Sequence, residues 1–439
     1  MHLIREFQRK LILLAIMFIY FTCSTALKGQ QDDYYEKDFE RNQDFIYQEN
    51  IKTVLLFRQG DELSQPIIEL GTGQKIVLVF DDLEGDVKDY RYTVKHCDAF
   101  WNDSEIQQQE YIDGFPDDEI RDYKMSFNTI QHYTNYRLIF PTDYIRLKKS
   151  GNYIIKVYEG NNPDQNIAFT RRFMVLEQKA LITGRVVKTS DLDRRYTGQQ
   201  VDFKVDASNL YVHNLYNDIQ VVVRQNTRWD NVVQNIRPRM VIGSELDYSV
   251  MPEITFEGGN EFRYFDMKTV RYTTDRMQKL NLTNEAYEVY LYPDRPRNNI
   301  DYVSEEDING KRLIASNQTE YDYSRGEYVW VSFLLPWSKP FMTGNVYVFG
   351  ELSNWQFSKS NRMVYNFNLN AYAATLYLKQ GYYNYCYAFL EDGSSESTMA
   401  PIEGSHWETE NLYTVYVYQR EPGSFYDRLV GVAYFSSTL

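Results

Sequence analysis

His96 and Cys97 are the first residues of this sequence whose types suggest chemistry, because a histidine can activate a nearby cysteine as a nucleophile. They follow a run of aromatic and β-branched residues, 90–95, that predicts a β-strand, and we take them to continue it. Neighbouring residues of a strand point to opposite faces, so His96 is poorly placed to take a proton from Cys97. We therefore interpret Cys97, and likewise Cys386, as buried hydrophobic residues.

The segment 305–310, Glu-Glu-Asp-Ile-Asn-Gly, begins like a calcium-binding loop. The terminal carboxylate of such a loop would fall on Ser316, and no helix pattern flanks the segment, so a turn is favoured. The histidines beyond residue 30 lack the spacing of metal ligands: His96, His132, His213 and His406. The sequence therefore predicts no catalytic residue, no metal site and no cofactor, and it favours a protein that is not an enzyme.

Trp355 and Trp407 are candidate sugar-binding residues, since an aromatic ring can stack on a pyranose. Trp355 follows Gly350, and a strand pattern at 381–389 then ends before Asp392. This layout resembles the early-set immunoglobulin-like modules of glycogen-binding and isoamylase N-terminal domains. The resemblance implies an alternative function, a periplasmic glycan-binding protein that uses its C-terminal module. The competing interpretation is that Trp355 only packs the edge of a sandwich.

The elements that would position these residues are β-strands. Short runs of β-branched and aromatic residues, such as 75–80 and 152–158, alternate with clusters of turn residues. Alternation along 381–389 predicts that four aromatic side chains share one face: Tyr383, Tyr385, Tyr387 and Phe389. The predicted fold class is therefore all-β, a series of antiparallel immunoglobulin-like sandwiches.

Three sets of strands predict three domains. They are an N-terminal β-sandwich at 31–178, a middle β-sandwich at 179–322 and a C-terminal early-set-like β-sandwich at 323–439. In this scheme the strand pattern at 413–420 belongs to the third set.

Residues 1–30 predict a signal peptide. Arg5, Arg9 and Lys10 precede an apolar run at 11–21, which is short for a membrane span of roughly 20 residues. The expected location is thus outside the inner membrane, with a retained N-terminal anchor as the alternative. Cys23 is a weak signal for lipidation.

The net charge of −14 excludes two broad classes of function. An acidic surface repels nucleic-acid phosphates and anionic lipid headgroups, so neither is an expected partner. The aromatic content of 16%, mostly tyrosine, suits half-buried strand surfaces.

A longer series of motifs carries a resemblance to a known family. It runs through these segments in order: 96–104, 111–115, 120–123, 126–129, 133–136, 150–158, 170–175, 225–230, 259–266, 378–385, 408–411 and 429–431. Together they resemble the type IX secretion system plug protein family of Bacteroidota, formerly a family of unknown function. The resemblance implies an exported, periplasmic, non-enzymatic protein. Its partner would be the outer-membrane barrel translocon, whose pore it would seal when no cargo is engaged.

The long segment 98–122 is predicted to contribute to docking on the translocon. It combines aromatic residues with acidic ones, as reversible interfaces do. The predicted partner-binding residues are Phe100, Trp101, Tyr111, Phe115, Arg228, Trp229 and Asp230. The alternative interpretation is that Trp101 and Phe115 fill the edge of their own sandwich.

Overall fold

The computed structural model describes residues 40–316 and 322–437, and it confirms the all-β prediction. The predicted signal peptide lies outside the described residues. Among the residues described, no helix is long and apolar enough to cross a membrane.

The strands and helices follow one another in four stretches of chain. The first contains β1 (Phe45–Ile46), β2 (Ile51–Arg58), β3 (Ile67–Glu69), β4 (Ile76–Asp82), β5 (Tyr90–Cys97), α1 (Gln108–Tyr111), β6 (Ile112–Gly114), β7 (Asp117–Glu119), β8 (Asp122–Met125), β9 (Thr134–Phe140), β10 (Ile145–Leu147), β11 (Gly151–Glu159) and β12 (Ile167–Leu176). The second contains β13 (Leu181–Lys188), β14 (Gly198–Asp206), α2 (Leu215–Asp218), β15 (Ile219–Gln225), β16 (Met240–Ile242), β17 (Glu245–Asp247) and β18 (Thr255–Glu257). The third contains β19 (Arg263–Asp266), β20 (Met277–Leu282), β21 (Tyr287–Leu291), β22 (Arg312–Ile314), β23 (Tyr328–Pro336), β24 (Gly344–Phe349), β25 (Val364–Asn366), β26 (Ala371–Lys379), β27 (Gly381–Glu391) and α3 (Ala400–Glu403). The last contains β28 (Leu412–Gln419) and β29 (Arg428–Ser436). Short 3-10 helices lie at Pro252–Ile254, Tyr323–Arg325 and Glu351–Ser353.

The first sandwich packs the sheet β2-β4-β9-β8 against β12-β11-β5-β7. Its core alternates along each strand as the period of two requires, so that Tyr90, Tyr92 and Val94 of β5 point inward. The segment predicted as one long loop, 98–122, contains α1, β6 and β7.

The second sandwich is closed by the end of the chain, which corrects the predicted grouping of strands. Strand β28 pairs with β15 along its length, from Tyr413–Gln225 to Gln419–Ile219, and β29 pairs with β28. Val415 and Val417 of β28 lie in the same core as Val221 of β15. The pattern at 413–420 is a strand, as expected, but it completes the second sandwich and not the third.

The third sandwich is consequently inserted between β18 and β28 of the second. Its core confirms the predicted aromatic face, because Tyr383, Tyr385 and Tyr387 of β27 lie in one cluster with Phe389 packed against it. Cys386, on the opposite face of β27, belongs to a separate cluster.

Two features join the three sandwiches. Strands β12 and β29 meet in parallel at Leu176 and Leu429, so the first and second sandwiches share one nine-stranded sheet. Strand β4 is buried on both faces: Ile76, Leu78 and Phe80 enter the core of the first sandwich, whereas Val77 and Val79 enter that of the third. The uninterrupted apolar run at 76–80 reflects this double burial.

Candidate functional site

The predicted docking segment begins with a tight turn that directs Trp101 inward. Asp98 Oδ1 accepts hydrogen bonds from the backbone amides of Phe100 and Asn102, both at 2.8 Å. Trp101 itself has φ +67°, a left-handed conformation that is uncommon for a bulky side chain. The turn therefore places the indole in the interior, where it is only 6% exposed.

Trp101 meets Trp229 at the joint between the first and second sandwiches. The two rings are 5.3 Å apart and nearly perpendicular. The guanidinium of Arg172 lies 4.5 Å from the centre of the Trp101 ring and 4.6 Å from that of Trp229. Arg224 covers Trp229 at 4.3 Å. These contacts form a cation–π stack that holds the two sandwiches together, and we call these four residues the tryptophan joint.

Arg228 and Asp230 form a buried ion pair beside that joint. Arg228 Nη2 lies 2.7 Å from Asp230 Oδ2, and Ser397 Oγ donates to the same oxygen at 2.9 Å. Burial lowers the pKa of Arg228, but the adjacent carboxylate outweighs it and the net shift is upward. The pair links the second sandwich to the segment that follows β27. In the structure it therefore stabilises a contact within the chain.

Tyr111 and Phe115 of the same segment have opposite surroundings. Tyr111 is buried against His96 and Tyr153. Phe115 is 61% exposed, with Tyr144 as its aromatic neighbour. Of the predicted aromatic docking residues, Phe115 is thus the one that offers substantial surface to a partner; Phe100 is half-buried. A docking role for the seven residues stays a prediction.

Further exposed apolar side chains follow Phe115 in the sequence, on strand β8 and just after it. Strand β8 ends the sheet order β2-β4-β9-β8, and all four of its residues are exposed. The large apolar side chains exposed along this stretch are Phe115, Tyr123, Met125, Phe127 and Ile130, and we call them the 115–130 edge. An exposed edge strand with apolar side chains is a typical place for another chain to attach. Sequence reasoning missed Tyr123, Met125 and Phe127, although their alternation was a signal.

The two tryptophans considered for sugar binding have protein neighbours on their rings. Trp355 contacts Phe349 at 5.4 Å and Phe262 at 6.0 Å, both edge to face. The ammonium of Lys188 covers the Trp407 ring at 4.4 Å. These contacts are those of packed side chains, and a sugar platform on either ring stays a prediction.

The side chains of His96 and Cys97 have different neighbours, as expected for adjacent residues of a strand. The imidazole of His96 packs on Tyr153 and hydrogen bonds through Nε2 to the carbonyl of Ser150 at 3.1 Å. Cys97 enters the cluster that contains Trp101. Burial lowers the pKa of His96 to about 4 and raises that of Cys97 to about 12, so neither is poised for acid–base or nucleophilic work near neutral pH.

Within the part of the chain that the structure describes, the carboxylates of Asp82, Glu84 and Asp86 are close enough to one another to hold a cation. The ammonium of Lys88 already lies among them, 2.9 Å from Asp82 and in contact with Glu84. Although burial lowers the pKa of Lys88, the hydrogen bonds to Glu84 and Asp82 raise it on balance. Lys88 therefore already supplies one positive charge to this group of three carboxylates.

Asp307 occupies the turn that resembles a calcium loop. Its carboxylate accepts hydrogen bonds from the backbone amides of Phe262 and Asn309, so it caps its own turn and the start of the segment entering β19. Burial raises the pKa of Asp307 to about 7, with smaller upward effects from Glu261 and Glu410.

This pKa predicts that Asp307 gives the fold stability that is lost as the pH rises from about 4 to 7, whereas buried His96, whose pKa is lowered, contributes stability in the opposite direction. The folded state binds a proton at Asp307 that the unfolded state releases near pH 3.8, so the contribution of Asp307 to the free energy of unfolding falls by up to about 1.4 kcal/mol per pH unit in that range. Glu261, whose pKa burial also raises, acts in the same direction. Urea unfolding of the wild type and of Asp307→Asn at pH 5 and at pH 8 isolates the contribution of Asp307, because His96 is the same in both: between the two pH values the wild type should lose stability relative to the variant. An equal pH dependence in the variant would contradict the assignment to Asp307.

Comparison with known proteins identifies a family model and a similar solved structure. Residues 51–177 match the family model described as "Type 9 secretion system plug protein 1st domain". A crystal structure of a hypothetical protein from Parabacteroides merdae is similar over 91% of this chain and 100% of its own, with 34% sequence identity and a TM-score of 0.87. No curated protein matches the chain. The matched segment 51–177 contains the whole 115–130 edge.

Proposed function

Because the chain belongs to the type 9 secretion system plug protein family, we propose that it is a periplasmic plug that closes the outer-membrane translocon of that system when no cargo is engaged. Membership assigns a role related to type 9 secretion and a secretion-system partner. The closing of the pore, the barrel as partner and the periplasmic location are parts of the proposal.

The observation that carries the proposal is the exposed 115–130 edge inside the domain matched to the plug family. Met125 is 60% exposed and Phe127 is 65% exposed, and a group of exposed apolar side chains is typical of an interaction site. Exposed Asp113 and Asp122 provide a polar border. A central apolar strip with a charged rim is the usual composition of a reversible protein interface.

A plug must also resist deformation, and the connections between sandwiches supply that property. The shared nine-stranded sheet, the strand β4 buried on both faces and the insertion of the third sandwich into the second make a single interlocked body. Such a body blocks a pore by occupying it. We propose that it acts without catalysis and without a cofactor.

Export to the periplasm rests on the predicted signal peptide at 1–30, which lies outside the described residues, and on the family. The alternative function, glycan binding through Trp355 and Trp407, has less support because the neighbours of both rings are protein side chains.

We expect the triple variant Phe115→Ser, Met125→Ser, Phe127→Ser to lose its association with the translocon while keeping its fold. All three side chains are mostly exposed, so their replacement removes interface area and little core packing. The measurement is the amount of barrel that co-purifies with the tagged chain from its native host. Leakage of a normally excluded antibiotic into the cell reports on the seal itself.

The matched control is the pair Leu192→Ser and Phe425→Ser, which are 78% and 63% exposed on other loops. The control should retain both the barrel and the seal. Full recovery of the barrel by the triple variant would refute docking through the 115–130 edge. An envelope that stays tight after deletion of the whole chain would refute the plug function.

A further inference from the structure

A cavity of about 110 Å³ lies where the three sandwiches meet. It is lined by the β2–β3 connection and β12 of the first sandwich, by Arg224 and Trp229 of the second, and by β22 and the loop at 351–355 of the third. This volume is several times the roughly 10–15 Å³ that one water molecule requires. The cavity can therefore hold a small polyatomic ligand.

Five cationic side chains line this cavity: Arg171, Arg172, Arg224, Lys311 and Arg312. None of the five forms an ion pair with any carboxylate of the described residues. Burying a charge without a counter-charge is costly, so a cluster of five such cations is unexpected. It is more so in a chain whose net charge is −14.

The hydrogen bonds of these cations go to neutral oxygens. Arg224 Nη2 donates to Gln65 Oε1 at 2.6 Å, and Arg171 Nη2 donates to Asn354 Oδ1 at 3.1 Å. Arg312 Nη2 donates to the carbonyl of Val54 at 3.0 Å. Neutral partners orient the guanidinium groups without neutralising them.

Three carboxylates also line the cavity, and each accepts a hydrogen bond from a group outside the five side-chain cations. Asp44 accepts from the backbone amide of Arg172 at 2.7 Å, and Glu351 accepts from that of Arg312 at 2.9 Å. Glu62 accepts from the hydroxyl of Tyr323 at 2.5 Å. The lining thus carries five cations against three carboxylates, and the excess is positive.

Two donors of the lining have no partner. Arg224 is 5% exposed and Arg312 is 8% exposed, and the Nε atom of each is buried without a hydrogen bond. A buried N–H of a charged group that lacks an acceptor costs free energy, and an acceptor with negative charge offsets that cost. Burial also lowers the pKa of Arg171 and of Arg172 to about 10, against the opposing effect of the Asp44 carboxylate.

We propose that this cavity is a binding site for a small tetrahedral oxoanion, phosphate or sulfate, held by Arg224 and Arg312 with Arg171 and Lys311 around it. Guanidinium groups suit such an anion because their planar array of N–H donors matches two of its oxygens at once. Since the donors come from all three sandwiches, the bound anion ties the sandwiches together. The proposal concerns the interior of the chain and is independent of the plug function.

The test is isothermal titration calorimetry of the purified chain with inorganic phosphate and, separately, sulfate, at pH 7.5 and constant ionic strength. We expect saturable binding of about one anion per chain. Arg224→Gln and Arg312→Gln should each weaken the affinity about tenfold or more, because each removes a charge-assisted hydrogen-bond donor. Arg146→Gln is the control: its guanidinium is exposed and pairs with Asp113 at the surface, so the affinity should not change.

Thermal unfolding gives a second readout, which also serves if a glutamine variant does not fold. A bound anion raises the melting temperature along a saturating curve, whereas general exclusion of phosphate from protein surfaces raises it steadily with concentration. Arg312→Lys, which keeps the charge but loses the planar donors, should fold and bind more weakly. Absence of saturable binding to the wild-type chain, or equal affinities of Arg224→Gln and Arg146→Gln, would overturn the proposal.

Discussion

Replacing Lys379 by Met should lower the free energy of unfolding by about 3–5 kcal/mol, one of the two largest effects expected for a single substitution in this chain. Lys379, at the end of β26 in the third sandwich, is fully buried and lies 2.5 Å from Asp81 of β4 in the first. The variant leaves the Asp81 carboxylate in the interior without its counter-charge.

The surroundings of Asp81 explain why the loss is large. Its Oδ2 also accepts from the hydroxyl of Tyr328 at 2.6 Å, and its Oδ1 accepts from Asn135 at 2.7 Å. The ammonium of Lys379 lies 4.1 Å from the ring of Tyr133. Burial still lowers the pKa of Lys379 despite the neighbouring carboxylate, which indicates that desolvation offsets much of the attraction. The pair is costly to break even though it contributes little net stability.

Urea unfolding of the wild type, Lys379→Met and the double variant Asp81→Asn, Lys379→Met tests this expectation. The double variant should recover most of the lost stability, because it leaves no buried charge behind. The exposed pair Arg146–Asp113 provides the control, where Arg146→Gln should change stability by less than about 0.5 kcal/mol. A Lys379→Met variant as stable as the wild type would contradict the argument.

Replacing Trp101 by Ala should also cost about 3–5 kcal/mol, because it empties the tryptophan joint. The indole is almost fully buried, touches Trp229 and lies against Arg172. Its loss opens the contact between the first and second sandwiches, so we expect early proteolysis near residues 177–180 in addition to a lower unfolding midpoint.

Phe115→Ala is the matched control, since Phe115 belongs to the same segment and is mostly exposed. It should leave the midpoint almost unchanged. A double-mutant cycle of Trp101→Ala with Trp229→Ala should give a coupling energy of at least about 0.5 kcal/mol, because the rings are in contact. If the effects of the two substitutions on the free energy of unfolding are additive, the contact between the two rings does not stabilise the fold.

Local patterns predicted the strands well and their partners less well. The run at 75–80 was recognisable as a strand from composition alone, but its burial between two cores depends on a third sandwich that follows nearly 200 residues later. The strand β28 was equally recognisable, yet its partner β15 is distant in sequence. Pairing of strands is decided by the fit of faces across space, and no local periodicity records it.

The candidate site shows the same division. The sequence identified an aromatic, acidic segment and the family to which it belongs, but only the fold distinguishes inward Trp101 from outward Phe115. Both are aromatic residues with polar neighbours in the sequence, so the local sequence does not distinguish a buried ring from an exposed one. The turn around Asp98, with its left-handed residue, decides the direction of Trp101.

The sequence by itself determined the all-β class, the positions of most strands, the absence of familiar catalytic motifs and the resemblance to the plug family, because these follow from residue types and their spacing. Only the tertiary structure decided which sandwich each strand completes, which aromatic residues reach the surface, and that five scattered cations surround one cavity. The physical reason is that burial and charge balance arise from residues far apart in the chain, and they exist only after the three sandwiches have packed.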